Sequence, residues 1–169
     1  MANPILEFDP VTHITAGALG KPGARVFYIQ AERGLDRVTL LCEKEQVLAL
    51  SEAVDEMVAN LKEEFGLSTE AAPAYDEVKM SIREPADPLF RVGAMALGYD
   101  AGRDRVLLVV QEALDEEEER DPREVRLYAS RPQMQVVSAY ARDVVERGRS
   151  PEQRALQVEA HSRRNGHGE

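Results

Sequence analysis

Along residues 5–43 apolar and polar positions alternate in short runs, the two-residue period of strands with one buried face. Residues 5–8 and 13–19 read as strands, the first ended by the turn-forming pair Asp9-Pro10. Gly20-Lys-Pro-Gly23 is a tight turn, because proline fixes φ and glycine accepts conformations other residues resist. Residues 25–32 and 37–43 follow as β-branched and aromatic runs joined across 33–36, which predicts an antiparallel meander. At Lys44 the period lengthens. Val47, Leu50, Val54, Met57, Val58, Leu61 and Phe65 fall three and four apart, one face of a helix that Gly66, with Leu67 beyond it, is suited to end.

The pattern then restarts. Residues 66–76 read as a connector, 78–83 as a strand, and Pro85 and Pro88 break the pattern. Residues 90–99 and 105–113 predict a hairpin and 124–129 a last strand. Ser130, Pro132 and Gln133 make a helix start in which Ser130 caps and Gln133 bonds back, with Met134, Val137, Ala141, Val144 and Val145 as the buried stripe and Gly148 as the stop. Much of 16–58 thus returns in 94–145. Ala16-Gly-Ala-Leu-Gly20 answers to Ala94-Met-Ala-Leu-Gly98, and Arg25-Val-Phe-Tyr-Ile to Arg105-Val-Leu-Leu-Val. Arg37-Val-Thr-Leu-Leu through Gln46, Ser51 and Val58 answers to Glu124-Val-Arg-Leu-Tyr through Gln133, Ser138 and Val145. The offsets of 78, 80 and 87 differ only by insertions in turns, as two copies of one supersecondary unit would show.

The expected fold class is therefore α+β: two tandem strand-strand-strand-helix repeats forming one antiparallel sheet of six to eight strands with two helices on one face. Repeat one covers about 4–66 and repeat two about 78–148 of a single domain, 1–148. The polar residues 149–169 are expected to be disordered. Apolar side chains on the sheet face away from the helices would mark a dimer or partner surface.

Composition narrows the class. One cysteine, Cys42, excludes a disulfide within the chain and sits in an apolar strand pattern, so it reads as core in a reducing, cytoplasmic setting. No segment approaches the length of a membrane span. The net charge of −10 argues against nucleic acid, but seven acids and two arginines lie in 115–124 alone, leaving the body only mildly acidic. That run reads as an exposed loop. As a divalent-cation site it lacks a turning glycine and converging oxygens.

Gly17-Ala-Leu-Gly-Lys-Pro-Gly-Ala-Arg-Val-Phe-Tyr-Ile-Gln-Ala31, Glu43-Lys-Glu-Gln-Val47, Phe90-Arg-Val-Gly93, Leu97-Gly-Tyr-Asp100 and Gly148-Arg-Ser-Pro151 together resemble the domain-of-unknown-function family 3090, common in actinobacteria. The resemblance covers nearly the whole chain and implies no established activity. It does imply gene neighbours similar to histidine phosphatases and lipid kinases, and a C-terminal cysteine-rich, zinc-ribbon-like segment. Here the chain departs: residues 149–169 keep Asn165-Gly-His167 without cysteine, and His161 and His167 cannot supply the roughly four ligands of structural zinc. No metal or cofactor is carried over.

Gly17-x-x-Gly20-Lys21 is not a phosphate loop, since Pro22 replaces the hydroxyl residue and a strand follows. Gln30, Glu43, Lys44 and Gln46 gather on paper around the strand-to-helix junction, where free backbone N–H groups favour anionic ligands; Lys21 and Arg25 add positive charge. Against this stands ordinary capping with surface ion pairs. His13 in a strand and Cys42 in another form no catalytic set with Ser or Asp. The preferred expectation is a binding or regulatory module for a protein partner or a second copy of itself, without catalysis, membrane or nucleic acid. The alternative is a small enzyme or binding protein for a phosphorylated or anionic metabolite, using Lys21, Arg25, Gln30, Glu43, Lys44 and Gln46.

Overall fold

Residues 4–67 and 74–147 are described in the computed structural model of the chain, so the expected stop at Gly148, part of the connector and the expectation of disorder over 149–169 lie outside the described residues. The first unit runs β2 (His13–Leu19), β3 (Val26–Arg33), β4 (Asp36–Cys42) and α1 (Lys44–Phe65). The second runs β5 (Val92–Asp100), β6 (Arg105–Glu112), β7 (Glu124–Ala129) and α3 (Arg131–Arg147). β1 (Leu6–Phe8) precedes the first unit and α2 (Glu77–Met80) lies between the two.

Helix ends follow the chemistry of their caps. Gly66 takes φ 64°, a left-handed conformation that costs glycine nothing, and its N–H returns to the carbonyls of Leu61 and Lys62. At the other helix the Ser130 N–H donates to Gln133 Oε1 at 2.9 Å while the Gln133 N–H donates to Ser130 Oγ at 3.1 Å, a reciprocal capping box. The strand expected over 78–83 is instead α2 followed by irregular chain. The Asp76 carboxylate accepts from the N–H groups of Val78 and Lys79, and this local cap outweighs the alternation of Val78, Met80 and Ile82.

The strands form two sheets of three and four strands, in the orders β2-β3-β4 and β1-β7-β6-β5, rather than one antiparallel sheet. Two details divide them. Beside β4 the incoming chain pairs only briefly: Leu89 N–H reaches Thr39 O at 2.8 Å, Leu41 N–H reaches Phe90 O at 3.0 Å, and Leu41 and Arg91 form one parallel bridge. A register shift between Val92 and Met95 then turns β5 toward β6, and Gly93 lies so close to the opposing strand that a Cβ there would sit 3.0 Å from Ala113 Cα. On the other side β1 pairs with β7 in parallel, and the chain changes sheets at Pro10, whose nitrogen donates nothing. Val11 N–H to Tyr128 O at 2.8 Å and Thr12 N–H to Glu32 O at 2.7 Å tie the sheets together there.

One continuous core joins the units: Ile29 and Leu40 from the first sheet, Leu108 and Leu127 from the second, Val54 and Val137 from the helices. Two buried polar side chains, Gln30 and Thr15, are paired with backbone groups of the chain between the units. Gln30, 1 % exposed, takes the Arg83 N–H on Oε1 at 2.8 Å and donates through Nε2 to Arg83 O and to Thr39 Oγ1, both at 3.0 Å. Thr15 Oγ1 donates to Met80 O at 2.6 Å, so the connector is bonded to β2 as well. The acidic run is an exposed loop, as its charge implies, but it is tied back to the sheet. Arg120 grips the buried Glu112 carboxylate at 2.7 and 2.9 Å, and Arg123 binds it at 2.9 Å.

Helices α1 and α3 cross at Ser51 and Ser138. Ser51 Oγ lies 3.0 Å from Ser138 O, Ser138 Oγ lies 3.1 Å from Ser51 O, and the hydroxyls are 2.9 Å apart. These serines stand 87 positions apart in the chain, the offset that aligns the helices. Gln46 and Gln133 share that offset and a role: each accepts from the N–H of its own helix cap, Glu43 at 2.8 Å and Ser130 at 2.9 Å, and each donates to a backbone carbonyl in the segment leading a strand, Val92 O at 3.0 Å and Val11 O at 3.5 Å.

Candidate functional site

The residues expected at the strand-to-helix junction are placed as follows. Glu43 and Gln46 form the cap of α1, and the Gln46 amide is further used on the Val92 and Gly93 carbonyls at 3.0 and 3.2 Å. Gln30 is buried in β3, three residue pairs up the sheet from Phe27, and is bonded to the backbone of Arg83. Arg25 turns away to α3, where Nη1 donates to Val144 O at 2.6 Å and the guanidinium lies 5.7 Å from the Phe27 ring centre, a C-terminal helix cap with a cation–π contact. Burial, then the neighbouring Arg147, lowers the Arg25 pKa from its usual value. Lys21 is exposed in the β2–β3 turn, and Lys44 opens α1. The pairing of Phe27 with Cys42 puts Lys21, Arg25, Glu43 and Lys44 at one end of the three-stranded sheet, with Gln30 apart from them.

Cys42 is buried, and desolvation with the charge of Glu43 pushes its thiol up to about 12, so it is neutral at physiological pH. His13 is half-buried in β2; desolvation lowers its pKa, with Glu32 opposing and Arg83 reinforcing the shift. Among the described residues no cluster of three or more His, Cys, Asp or Glu is placed to hold a metal ion, and no helix is long and apolar enough to cross a membrane.

Among the described residues an open groove lies elsewhere, between one face of α1 and strand β5. Its volume is about 390 Å³, within the size range of ligand pockets. Ala53, Met57, Leu61 and Leu97 give it apolar walls. Glu56, Asn60, Glu64 and Tyr99 supply its polar groups. The helical residues recur at three and four because they form one face. Tyr99 is held from behind: its hydroxyl donates to Asp104 Oδ1 at 2.5 Å, and the same carboxylate receives Arg131 Nε at 3.0 Å. β5 is the last strand of its sheet, and Phe65, the final residue of α1, is 65 % exposed.

The place between α3 and β2 is filled. Tyr140 packs there so closely that a Cβ on Gly17 would lie 3.1 Å from its ring. The connector covers it: the Tyr75 ring meets Tyr140 edge-on at 5.2 Å, the Tyr75 hydroxyl donates to Asp143, and Arg147 pairs with Glu77 at 2.6 Å. Subtracting the helix offset of 87 from Tyr140, Asp143, Val144 and Arg147 gives Ala53, Glu56, Met57 and Asn60, all four of which line the groove. Where α3 carries the large ring of Tyr140, α1 carries a methyl group. Sequence reasoning missed the groove, although the repeat alignment that sets Ala53 against Tyr140 was its signal.

Fold and site together define an α+β protein of two sheets with a half-apolar, acid-rimmed groove between α1 and β5, while the place between α3 and β2 is filled by its own chain. The chain belongs to the family described as Protein of unknown function (DUF3090), which it matches over residues 6–157. No curated protein and no solved structure matches it.

Proposed function

We propose that the protein is a non-catalytic binding module, made of two copies of one strand-strand-strand-helix unit, whose α1–β5 groove receives a cationic, partly apolar segment of a protein partner. Descent from one copied unit is supported by the serines that meet at the helix crossing and by the two matched glutamine caps: in a twofold arrangement, residues on the axis contact their own equivalents. Binding is supported chiefly by the correspondence of Ala53, Glu56, Met57 and Asn60 with the α3 residues that hold the connector. A helix face that on α3 seats a chain segment is, among the described residues, open on α1. The occupant's chemistry follows from the walls. Met57, Leu61 and Leu97 favour aliphatic side chains, and Glu56 and Glu64 favour arginine or lysine between them.

The test is fluorescence anisotropy of a labelled twelve-residue peptide alternating leucine and arginine, against the whole chain and its Ala53→Tyr variant. Tyrosine at 53 restores what α3 carries at 140, so the groove is plugged while the helix loses only about 0.5 kcal/mol of propensity. Saturable binding that weakens at least tenfold in Ala53→Tyr, with an unchanged far-ultraviolet spectrum, is expected. Equal binding to both proteins, or none to either, contradicts the proposal.

A further inference from the structure

We infer that the partner segment enters the groove as an extended strand added to the free edge of β5, in the order Arg-x-Leu-x-Arg with those three side chains facing α1. This rests on the groove being a segment-binding site and adds the conformation and side-chain order of its occupant. A sheet edge offers a row of unpaired N–H and C=O groups. Among the described residues the other edges are closed. β1 is three residues long and followed by Asp9-Pro10, and α3 packs against β2. β4 is met by the chain leading to β5, where the Leu89 N–H donates to Thr39 O at 2.8 Å and the Leu41 N–H to Phe90 O at 3.0 Å. On β5 the Gln46 amide takes the Val92 and Gly93 carbonyls, so the edge left open among the described residues starts at Ala94. From Ala94 to Tyr99 it carries no proline and no charge, the features with which edge strands refuse a partner. Ala94 and Ala96 add little bulk beside it, and a Cβ on Gly98 would meet nothing within 4 Å.

The helical wall sets the side-chain order. α1 presents two rows at steps of four: Ala53, Met57 and Leu61, and beside them Glu56, Asn60 and Glu64. Each step rises about 6 Å along the helix. Side chains on one face of a strand recur at every second residue, about 6.6 Å apart, so three successive ones match three successive steps of α1. The outer steps carry Glu56 and Glu64 and take arginine. The middle step, Met57 with Asn60, is uncharged and takes leucine, with Leu97 on the β5 side. Leu97 and Tyr99 stand two apart and therefore turn one face of β5 to the groove. Glu56 and Glu64 are separated by a rise of about 12 Å, which a strand spans in four residues and a helix in eight.

Two labelled peptides of one composition, titrated by fluorescence anisotropy against the whole chain, test this: Thr-Arg-Thr-Leu-Thr-Arg-Thr, and Thr-Arg-Thr-Leu-Arg-Thr-Thr, in which the second arginine has moved by one place. In a strand that move turns the arginine to the opposite face, whereas in a helix both positions share a face with the first arginine. The first peptide is expected to bind saturably and at least tenfold more tightly than the second, and to lose that binding in Ala53→Tyr. With the first peptide saturating, amide hydrogen exchange should slow at least tenfold at every second residue within 94–99, because an added strand bonds alternate residues of its neighbour. Equal affinity for the two peptides, or exchange along β5 unaltered in the saturated complex, overturns the added strand. If the alternating leucine–arginine peptide binds and Ala53→Tyr blocks it while the two threonine peptides do not differ, only this inference falls. If none of the three peptides binds, the groove reading falls with it.

Discussion

Replacing Ser51 and Ser138 by alanine, singly and together, probes the contact on which the two units turn. Both residues are buried, at 0 and 2 % exposure, and four short contacts surround two hydroxyls: each to the other helix's carbonyl, one to the other, and Ser138 Oγ to Asp55 Oδ1 at 2.7 Å. Two hydroxyl hydrogens can serve only two of these at once. The short contact to a carboxylate takes that of Ser138, and Ser51 then donates to Ser138 Oγ or to its carbonyl. Ser51→Ala loses one neutral hydrogen bond, about 1 kcal/mol, and regains about 0.5 kcal/mol of helix propensity, leaving a loss of about 0.5 kcal/mol. Ser138→Ala loses a bond to a charged group worth about 1.5–3 kcal/mol when buried; Asp55 is exposed and keeps Arg142, so the expected net loss is about 1 kcal/mol. The double variant should cost less than the sum by about 0.5–1 kcal/mol, because the bond between the serines is removed only once. Urea unfolding at constant slope measures all three. Strict additivity within about 0.3 kcal/mol would refute the shared network. Ser51→Val should behave differently, costing about 2–4 kcal/mol, since lost bonding is joined by crowding where the backbones approach.

Two further outcomes follow from the buried groups. Cys42 should react with a maleimide or aromatic disulfide reagent only through opening of the fold, so labelling should be slow in buffer and accelerate in step with urea unfolding; rapid labelling of the native protein would contradict its burial. Hydrogen bonds from Arg120 and Arg123 hold the Glu112 carboxyl below the usual carboxylate range, so the unfolded chain takes up this proton first as pH falls below about 4.5. The stabilisation is present above that pH and drains away below it as the folded value is approached. Glu112→Gln should flatten this acid limb of the stability curve, and an unchanged limb would show that the pair of arginines contributes nothing. His13, lowered chiefly by burial, acts in the same direction at higher pH: the unfolded chain gains its proton first below about 6.5, and stability falls from there.

Local structure was legible because local chemistry specified it. The stripe from Val47 to Phe65, the glycine at 66 and the Ser130–Gln133 box each name a helix end, and α1 ends where they place it. The same logic failed at 78–83, where three alternating apolar residues mimic a strand and one aspartate decides for a turn of helix. The division into two sheets was hidden, since it depends on a bulge at Gly93 and on a parallel partner for β1, neither of which a periodic pattern carries. Gln30 and Gln46 show why polar residues near apolar runs are ambiguous. Both have the inventory for a ligand, and both use it on backbone groups of the same chain. A groove is the space a side chain does not fill, so it becomes visible only when Ala53 is set beside Tyr140.

Amide chemical shifts of the isotope-labelled whole chain, titrated with the leucine–arginine peptide, address the central claim most directly. The account predicts saturable shifts concentrated on α1 from residue 53 to 64 and on β5 from residue 97 to 99, and their disappearance in Ala53→Tyr. Shifts gathered instead at the sheet end that carries Lys21, Arg25 and Lys44, or shifts that survive Ala53→Tyr, would contradict it.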